Sequence, residues 1–308
     1  MSASPTDAND RRLPRLGLFL LFAVTLCWGV NWPIMKVALV EMSPWTFRMY
    51  VVPTSGLILL VVARLSGLSL TVPRKLWPIF AFVTFFQVTL WYVLVAYGVA
   101  FLGASRGVLL AFTMPLWAIV FGRFILGEVL TPRRVAALAL GLAGIAAMMW
   151  GDLKAAGISP LGAGLMLGGA VSWGLSLVLL KRVEWEMPVI TLTGWQTFLG
   201  GLPIVAVAMV KDPVFQPLSA EALGAVLYNI FIAGAFCIYG WYKIISLFPA
   251  NVSALGTLMI PIVGVISSYF MLGEPIGPRE FSAMILICSA LALTLFKPRL
   301  PPGRPGDR

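Results

Sequence analysis

Long apolar runs recur throughout this chain, and they constrain its fold more than any other feature. Between charged and turn-forming residues the sequence contains ten such runs, each close to the 20 or so residues that a membrane-crossing helix needs. Ten helices of that length leave only the termini and short loops out of 308 residues. Charged residues make up only 11% of the chain, against about 25% in a soluble domain. The sequence therefore predicts an all-α integral membrane protein.

The predicted spans begin near prolines, small polar residues or charges. Ser43, Thr131 and Ser159 each precede a proline, which is typical of a helix cap followed by the first helical position. No small-residue cleavage site follows the first run, so we interpret it as a retained helix rather than a signal peptide. The ten spans cover residues 16–36, 44–64, 77–99, 104–126, 132–150, 160–182, 188–210, 220–244, 251–272 and 278–297.

Positive charge is distributed unevenly between the loops. If the N-terminus is cytoplasmic, 16 Lys and Arg residues lie on the cytoplasmic side and 5 on the other, and Arg48 lies inside the second span. Cytoplasmic loops are enriched in positive residues, so we expect both termini in the cytoplasm. The same rule explains the net charge of +10 without a nucleic-acid partner.

The two halves of the chain share a sequence pattern. The W-G pair at 28–29 recurs at 173–174, and the L-G-E triplet at 126–128 recurs at 272–274, at offsets of 145 and 146 residues. Each half holds five spans, and because five is odd the second half enters the membrane from the opposite side. The predicted organisation is a cytoplasmic tail at 1–15, a five-helix repeat at 16–150, an inverted five-helix repeat at 151–297, and a cytoplasmic tail at 298–308.

This pattern resembles a known group of membrane proteins. Two five-helix halves, each with W-G in its first helix and P-x(10)-L-G-E-x(3)-P across its fourth, resemble the EamA-type drug/metabolite transporter superfamily. The resemblance covers residues 16–297 and is greatest to the bacterial aromatic amino acid exporters. It implies an exporter of the bacterial inner (cytoplasmic) membrane that has no nucleotide-binding domain, and the sequence contains no G-x-x-x-x-G-K-[ST] motif.

Charge inside the predicted spans is almost absent. No Asp or Glu lies near the middle of any span, and the chain has no His. Small multidrug-resistance relatives bind cations through a glutamate in their first helix, where this chain has Asn31. Arg48 either extends to the membrane surface or binds a carbonyl or a substrate carboxylate. These features favour neutral or zwitterionic substrates, and they predict neither a metal site, nor a cofactor, nor an enzyme.

Tryptophans near the middle of spans indicate the substrate site. Trp28, Trp91, Trp117 and Trp173 lie there, and an indole N–H at that depth prefers protein or a cavity to lipid. Polar residues accompany them at helical spacing. The alternative is ordinary helix packing with each N–H paired. The predicted cavity residues are Trp28, Asn31, Gln87, Trp91, Thr113, Trp117, Trp173, Ser176 and Tyr239.

The predicted function is export of aromatic or other apolar amino acids, or similar small neutral metabolites, by alternating access. Pro115 and Pro261, at equivalent positions in the two halves, are the predicted hinges, with static kinks as the alternative. Exporters of small polar amino acids, of drugs or of other metabolites remain open, as does a receptor subunit. We expect substrate and membrane lipid as partners, a monomer, and facilitated diffusion rather than obligate proton exchange.

Overall fold

In a computed structural model, the described residues are 15–149, 160–212, 217–248 and 250–295. Within those ranges the chain forms helices joined by short loops, with no strand, and helix occurs in each of the ten predicted spans. This confirms the prediction of an all-helical protein. Seven helical stretches are long and apolar enough to cross a membrane: Arg15–Glu41, Pro44–Leu65, Arg74–Leu102, Ala104–Ile125, Pro160–Arg182, Val189–Lys211 and Ala220–Trp241.

Two of these stretches change from α-helix to π-helix partway along. The first π segment is Phe85–Leu90, and the second is Tyr228–Phe236. A short 3₁₀ turn, Arg74–Leu76, precedes the α-helix that begins at Trp77. The α-helices in chain order are α1 (Arg15–Glu41), α2 (Pro44–Leu65), α3 (Trp77–Thr84), α4 (Trp91–Leu102), α5 (Ala104–Ala111), α6 (Met114–Ile125), α7 (Pro132–Met149), α8 (Pro160–Arg182), α9 (Val189–Lys211), α10 (Ala220–Leu227), α11 (Cys237–Leu247), α12 (Ala250–Leu272) and α13 (Pro278–Leu295).

Two of the three predicted N-caps form. The hydroxyl of Ser43 accepts the backbone N–H of Thr46 at 3.1 Å and so caps α2. The hydroxyl of Thr131 accepts the N–H of Arg134 at 3.4 Å at the start of α7. Such caps satisfy N–H groups that have no partner within the helix. Ser159 lies outside the described residues.

Helices from the two halves of the chain pack against one another. The largest contacts pair α2 with α9, α7 with α13, and α1 with α12, and α8 packs against α4, α5 and α6. In the middle lies α5, which is nearly completely buried. Because the principal contacts cross between the halves, neither half forms a separate core.

The glycines of the two W-G pairs mark equivalent helix crossings. A Cβ atom on Gly29 would lie 2.4 Å from the side chain of Val263 in α12. A Cβ atom on Gly174 would lie 2.7 Å from the side chain of Trp117 in α6. Trp117 and Val263 are themselves separated by the 146-residue offset. The recurring glycine therefore permits the same close crossing, between α1 and α12 in one place and between α8 and α6 in the other.

The two L-G-E triplets form the same backbone turn. Gly127 and Gly273 have φ values of +68° and +65°, which glycine adopts without strain. The residue after each, Glu128 or Glu274, donates its backbone N–H to the carbonyl six residues earlier, at 3.1 and 3.4 Å. A glycine in the left-handed conformation is a common helix ending, and here the same hydrogen bond closes both turns. We call these two turns the Glu128 corner and the Glu274 corner.

The helices that contain the predicted hinge prolines differ from each other. The predicted single span 104–126 is two helices, α5 and α6, separated by a turn at Phe112 and Thr113. Pro115 lies in the first turn of α6, where its missing N–H needs no partner. In contrast, α12 continues through Pro261. The predicted span 104–126 is therefore interrupted just before Pro115, whereas the helix around Pro261 is not, and the role of the two prolines as hinges stays a prediction.

Candidate functional site

Two of the predicted tryptophans are in ring contact near the middle of α8, and a third packs its Cβ against the same helix. The ring centroids of Trp91 in α4 and Trp173 in α8 are 5.0 Å apart, with their planes tilted by 50°. Trp117 in α6 packs against Gly174, the residue after Trp173. Aromatic pairs at this separation attract each other beyond the effect of buried area. We call Trp91 and Trp173 the indole cluster.

Trp28, the fourth mid-span tryptophan, has different neighbours. Its Nε1 donates to the backbone oxygen of Ala233 at 3.0 Å, within the second π segment. Its ring lies 5.9 Å from that of Trp241 in α11. Among the described residues no ring contact joins Trp28 to the indole cluster. Sequence reasoning did not select Trp241, since helix rotation could not be read from the sequence.

Three predicted site residues have a buried polar atom with no hydrogen-bond partner among the described residues. These atoms are Oδ1 of Asn31 in α1, Oε1 of Gln87 in the first π segment, and Nε1 of Trp117 in α6. Leaving such an atom unpaired costs about 1–3 kcal/mol, and a bound ligand is one way to recover that energy. Two further unpaired atoms, on Thr84 and Gln196, belong to residues that the sequence did not single out.

Three other predicted residues have local partners or are exposed. The hydroxyls of Thr113 and Ser176 each donate to the carbonyl three residues earlier, at 2.7 and 2.8 Å. Serine and threonine in helices often form such local bonds, which leaves less hydrogen-bonding capacity for a ligand. Tyr239 is 46% exposed, and in the described part of the chain no hydrogen bond or ring contact links it to the other predicted residues.

In both π segments a backbone carbonyl accepts a hydrogen bond from a helix that contains a W-G pair. In the first segment, the carbonyl of Phe86 accepts the hydroxyl of Ser172 in α8 at 2.5 Å. In the second, the carbonyl of Ala233 accepts the indole of Trp28 in α1. A π-helical turn often marks a functional position within a helix. Gln87 lies in the first segment, so the altered backbone orients one of the unpaired polar groups.

Arg48 is buried inside α2, with 4% exposure. Its Nε donates to the backbone oxygen of Tyr92 at 3.0 Å, and its Nη2 lies 2.8 Å from the sulfur of Met35. Its guanidinium carbon lies 4.9 Å from the ring centroids of both Phe47 and Tyr92. Extension to the membrane surface is therefore the wrong alternative, and the carbonyl contact is present.

The acidic residues of the two corners have different partners. Glu274 accepts the backbone N–H groups of Ala104 and Ser105, both at 2.8 Å, at the start of α5. Glu128 forms ion pairs with Arg134, at 2.8 Å, and with Lys181. The hydrogen bond from Lys181, followed by the positive charges of Lys181 and Arg134, lowers the pKa of Glu128.

Half-buried indoles and buried polar atoms without partners, between apolar helices, are the elements of a binding site within a membrane, as in carriers of small molecules. The chain belongs to the EamA-like transporter family, which matches residues 15–150 and again residues 160–296. This confirms the relationship predicted from the W-G and L-G-E motifs. The two successive matches also agree with a duplicated sequence.

Named relatives align over nearly the whole chain. An uncharacterized transporter of Bacillus subtilis, YvbV, is 28% identical, with 92% of this chain and 93% of YvbV aligned. A probable amino-acid metabolite efflux pump of Salmonella typhimurium is 23% identical, with 90% of this chain and 94% of the pump aligned. A solved crystal structure with 20% identity shares the fold, with a TM-score of 0.65 over 90% of this chain and 94% of that one.

Proposed function

We propose that this protein exports aromatic and other apolar amino acids, or similar small neutral metabolites, across the bacterial inner membrane. The family is one of transporters, and two of the relatives carry the name of probable amino-acid metabolite efflux pumps. The observation that supports an amino-acid substrate most directly is the set of unpaired polar atoms on Asn31, Gln87 and Trp117.

The chemistry of those atoms suits a zwitterion. The side-chain oxygens of Asn31 and Gln87 accept hydrogen bonds, as an ammonium group requires. The indole N–H of Trp117 donates one, as a carboxylate oxygen requires. The rings of Trp91 and Trp173 supply an apolar aromatic wall. Together these groups match an aromatic amino acid better than a small polar one, whose side chain would leave the wall without a partner.

The proposed mechanism is alternating access by two inverted halves, with ten spans and both termini in the cytoplasm. Equivalent crossings at the two W-G glycines, equivalent turns at the two corners and π segments in corresponding spans support the duplication. An odd number of spans in each half gives the halves opposite orientation. Pro115 and Pro261 are the proposed hinges, and we expect the carrier to work as a monomer.

We propose facilitated diffusion as the driving mode. The described spans place no carboxylate at mid-depth that could exchange protons with the substrate, and the full sequence contains no His. The substrate gradient alone then drives export. A pH gradient that moved substrate uphill would contradict this part of the proposal.

The first experiment measures flux of labelled Phe, Trp, Thr and Lys through purified protein in liposomes, without an ion gradient and then with a pH step. We expect Phe and Trp to cross much faster than Thr and Lys. Equal flux of all four, or faster flux of Thr, would reject the aromatic substrate and favour a carrier of polar amino acids. A substrate that binds without crossing would indicate a receptor instead.

Matched variants locate the site. We expect Asn31→Leu and Trp91→Leu each to lower Phe flux about tenfold or more, which corresponds to the loss of about 1.4 kcal/mol of binding. Trp195→Leu is the control, because Trp195 donates to the backbone oxygen of Leu70 and lies in α9, outside the proposed site. Equal losses in all three variants would show a general effect on folding rather than on substrate binding.

A further inference from the structure

Arg48 has an incomplete set of partners. A guanidinium has five N–H donors. In this protein one N–H on Nε binds a carbonyl and one on Nη2 meets a thioether sulfur, which is a weak acceptor. Three N–H groups therefore have no acceptor among the described residues. Two of the four terminal N–H groups are enough for the paired contact that a guanidinium makes with a carboxylate.

The charge of Arg48 is also uncompensated. Across the described ranges, no Asp or Glu forms an ion pair with it. The rings of Phe47 and Tyr92 attract the cation, each at 4.9 Å, but they provide no negative charge. A buried cation inside a membrane protein is costly, and a binding partner of opposite charge would recover much of that cost.

The contacts of Arg48 place it next to the proposed substrate site. Its sulfur contact is with Met35, which follows Asn31 by four residues and so lies on the same face of α1, about 6 Å further along the helix. Its carbonyl contact is with Tyr92, the residue after Trp91. Arg48 thus contacts Met35, one helical turn from the unpaired acceptor of Asn31, and Tyr92, which is adjacent in sequence to Trp91.

We propose that Arg48 binds the carboxylate of the transported substrate, and that the carrier therefore selects monocarboxylates, with or without an amino group. The inference rests on the proposed function and makes it narrower. A molecule that retains the aromatic ring and the amine but lacks the carboxylate leaves Arg48 without its partner, so it is a poor substrate. An aromatic hydroxy acid retains the paired contact and is a good one.

The test compares three labelled compounds in liposomes: Phe, phenyllactate and phenethylamine. For the wild type we expect Phe and phenyllactate to cross much faster than phenethylamine. Arg48→Met removes the charge and keeps an apolar side chain, and we expect it to slow the two carboxylates about 10- to 100-fold. Its effect on phenethylamine is small. Arg48→Lys retains the charge without the paired geometry, so its losses are intermediate.

Arg64→Met is the matched control, since Arg64 belongs to the same helix but is exposed. We expect it to leave the preference among the three compounds unchanged. If Arg48→Met and Arg48→Lys slow all three compounds by the same factor, Arg48 only supports the structure. If Arg48→Met transports Phe at the wild-type rate, the inference is wrong while the proposed export function stands.

A binding measurement separates failure of the inference from failure of the proposed function. The melting temperature of the wild type in detergent is measured with benzoate, phenyllactate, hexanoate and phenethylamine. The inference is supported if the carboxylates raise the melting temperature of the wild type and of Arg64→Met but not that of Arg48→Met. This outcome supports it even if no aromatic amino acid crosses the liposome membrane. Absence of stabilisation by any of the carboxylates, at concentrations up to about 100-fold above those that saturate typical carriers, overturns it.

Discussion

The Glu128 corner and the Glu274 corner have the same sequence and the same backbone, yet their carboxylates do different things. Each ends a helix with a glycine at positive φ and the same hydrogen bond over six residues. Glu274 then caps α5, whereas Glu128 forms ion pairs near the protein surface. Local sequence fixes the turn, but the neighbouring helix fixes the role of the side chain. The two carboxylates should therefore differ in their contribution to stability.

The largest expected effect is from Glu274→Ala. It leaves the N–H groups of Ala104 and Ser105 and the hydroxyl of Ser105 without their charged acceptor, and removes a negative charge from a helix N-terminus. We expect a loss of about 3 kcal/mol in the free energy of unfolding. Glu128→Ala is the matched variant, with an expected loss of about 1 kcal/mol or less. Denaturation of both in the same detergent measures the difference, and equal losses would remove the distinction between the corners.

Gly103→Ala should have the next largest effect. Gly103 joins α4 to α5 with φ +89° and ψ 170°, a conformation that is essentially limited to glycine. A Cβ atom there would also lie 2.7 Å from the carboxylate of Glu274. We expect a loss of about 2 kcal/mol.

Gly127→Ala is the control for that substitution. Gly127 also has a positive φ, but a Cβ atom on it would meet nothing within 4 Å. We expect Gly127→Ala to cost about 1 kcal/mol, from backbone strain alone. If it is as harmful as Gly103→Ala, the contact with Glu274 contributes nothing measurable.

The smallest expected effect comes from protonation of Glu128. The hydrogen bond from Lys181, the main cause, lowers the pKa of Glu128 below its ordinary value of 4.5. A carboxyl group with a lowered pKa in the folded protein contributes stability above its unfolded pKa, and loses that contribution as the pH falls through the folded pKa. Between about pH 6 and pH 3, the melting temperature of the wild type should therefore fall more than that of Glu128→Gln. Parallel curves would contradict the contribution of this ion pair.

Sequence reasoning located the helices because hydrophobic run length and capping residues are local signals. Ser43 and Thr131 cap α2 and α7 as predicted, since each binds an N–H within its own turn. The π segments were not predicted. A π-helical turn differs from the surrounding α-helix in hydrogen-bond register, and nothing in the apolar sequence of Phe85–Leu90 distinguishes it. The cap that Glu274 provides to α5 was also missed, because its partner is about 170 residues away in the chain.

The candidate site was predicted in part. Mid-span tryptophans indicated that Trp91 and Trp173 would lie inside the protein, and their rings are in contact. The hydroxyls of Thr113 and Ser176 were counted as available to substrate, but each binds its own helix. The environment of Arg48 depends on the rotation of three helices, which hydrophobic pattern alone does not determine. Substrate recognition by the predicted residues stays a prediction.

The helix is interrupted before Pro115 but continuous through Pro261, and this difference has a consequence for the proposed transport cycle. In an inverted duplication, the two end states of a carrier are related by exchange of conformation between the halves, so one structure contains both forms of each segment. The broken form is seen around Pro115 and the unbroken form around Pro261. Under the proposed mechanism, the oppositely facing state has a straightened Ala104–Ile125 and a helix Ala250–Leu272 that is interrupted just before Pro261. In that mechanism, each change of orientation closes the helix interruption in one half of the protein and opens the equivalent one in the other half.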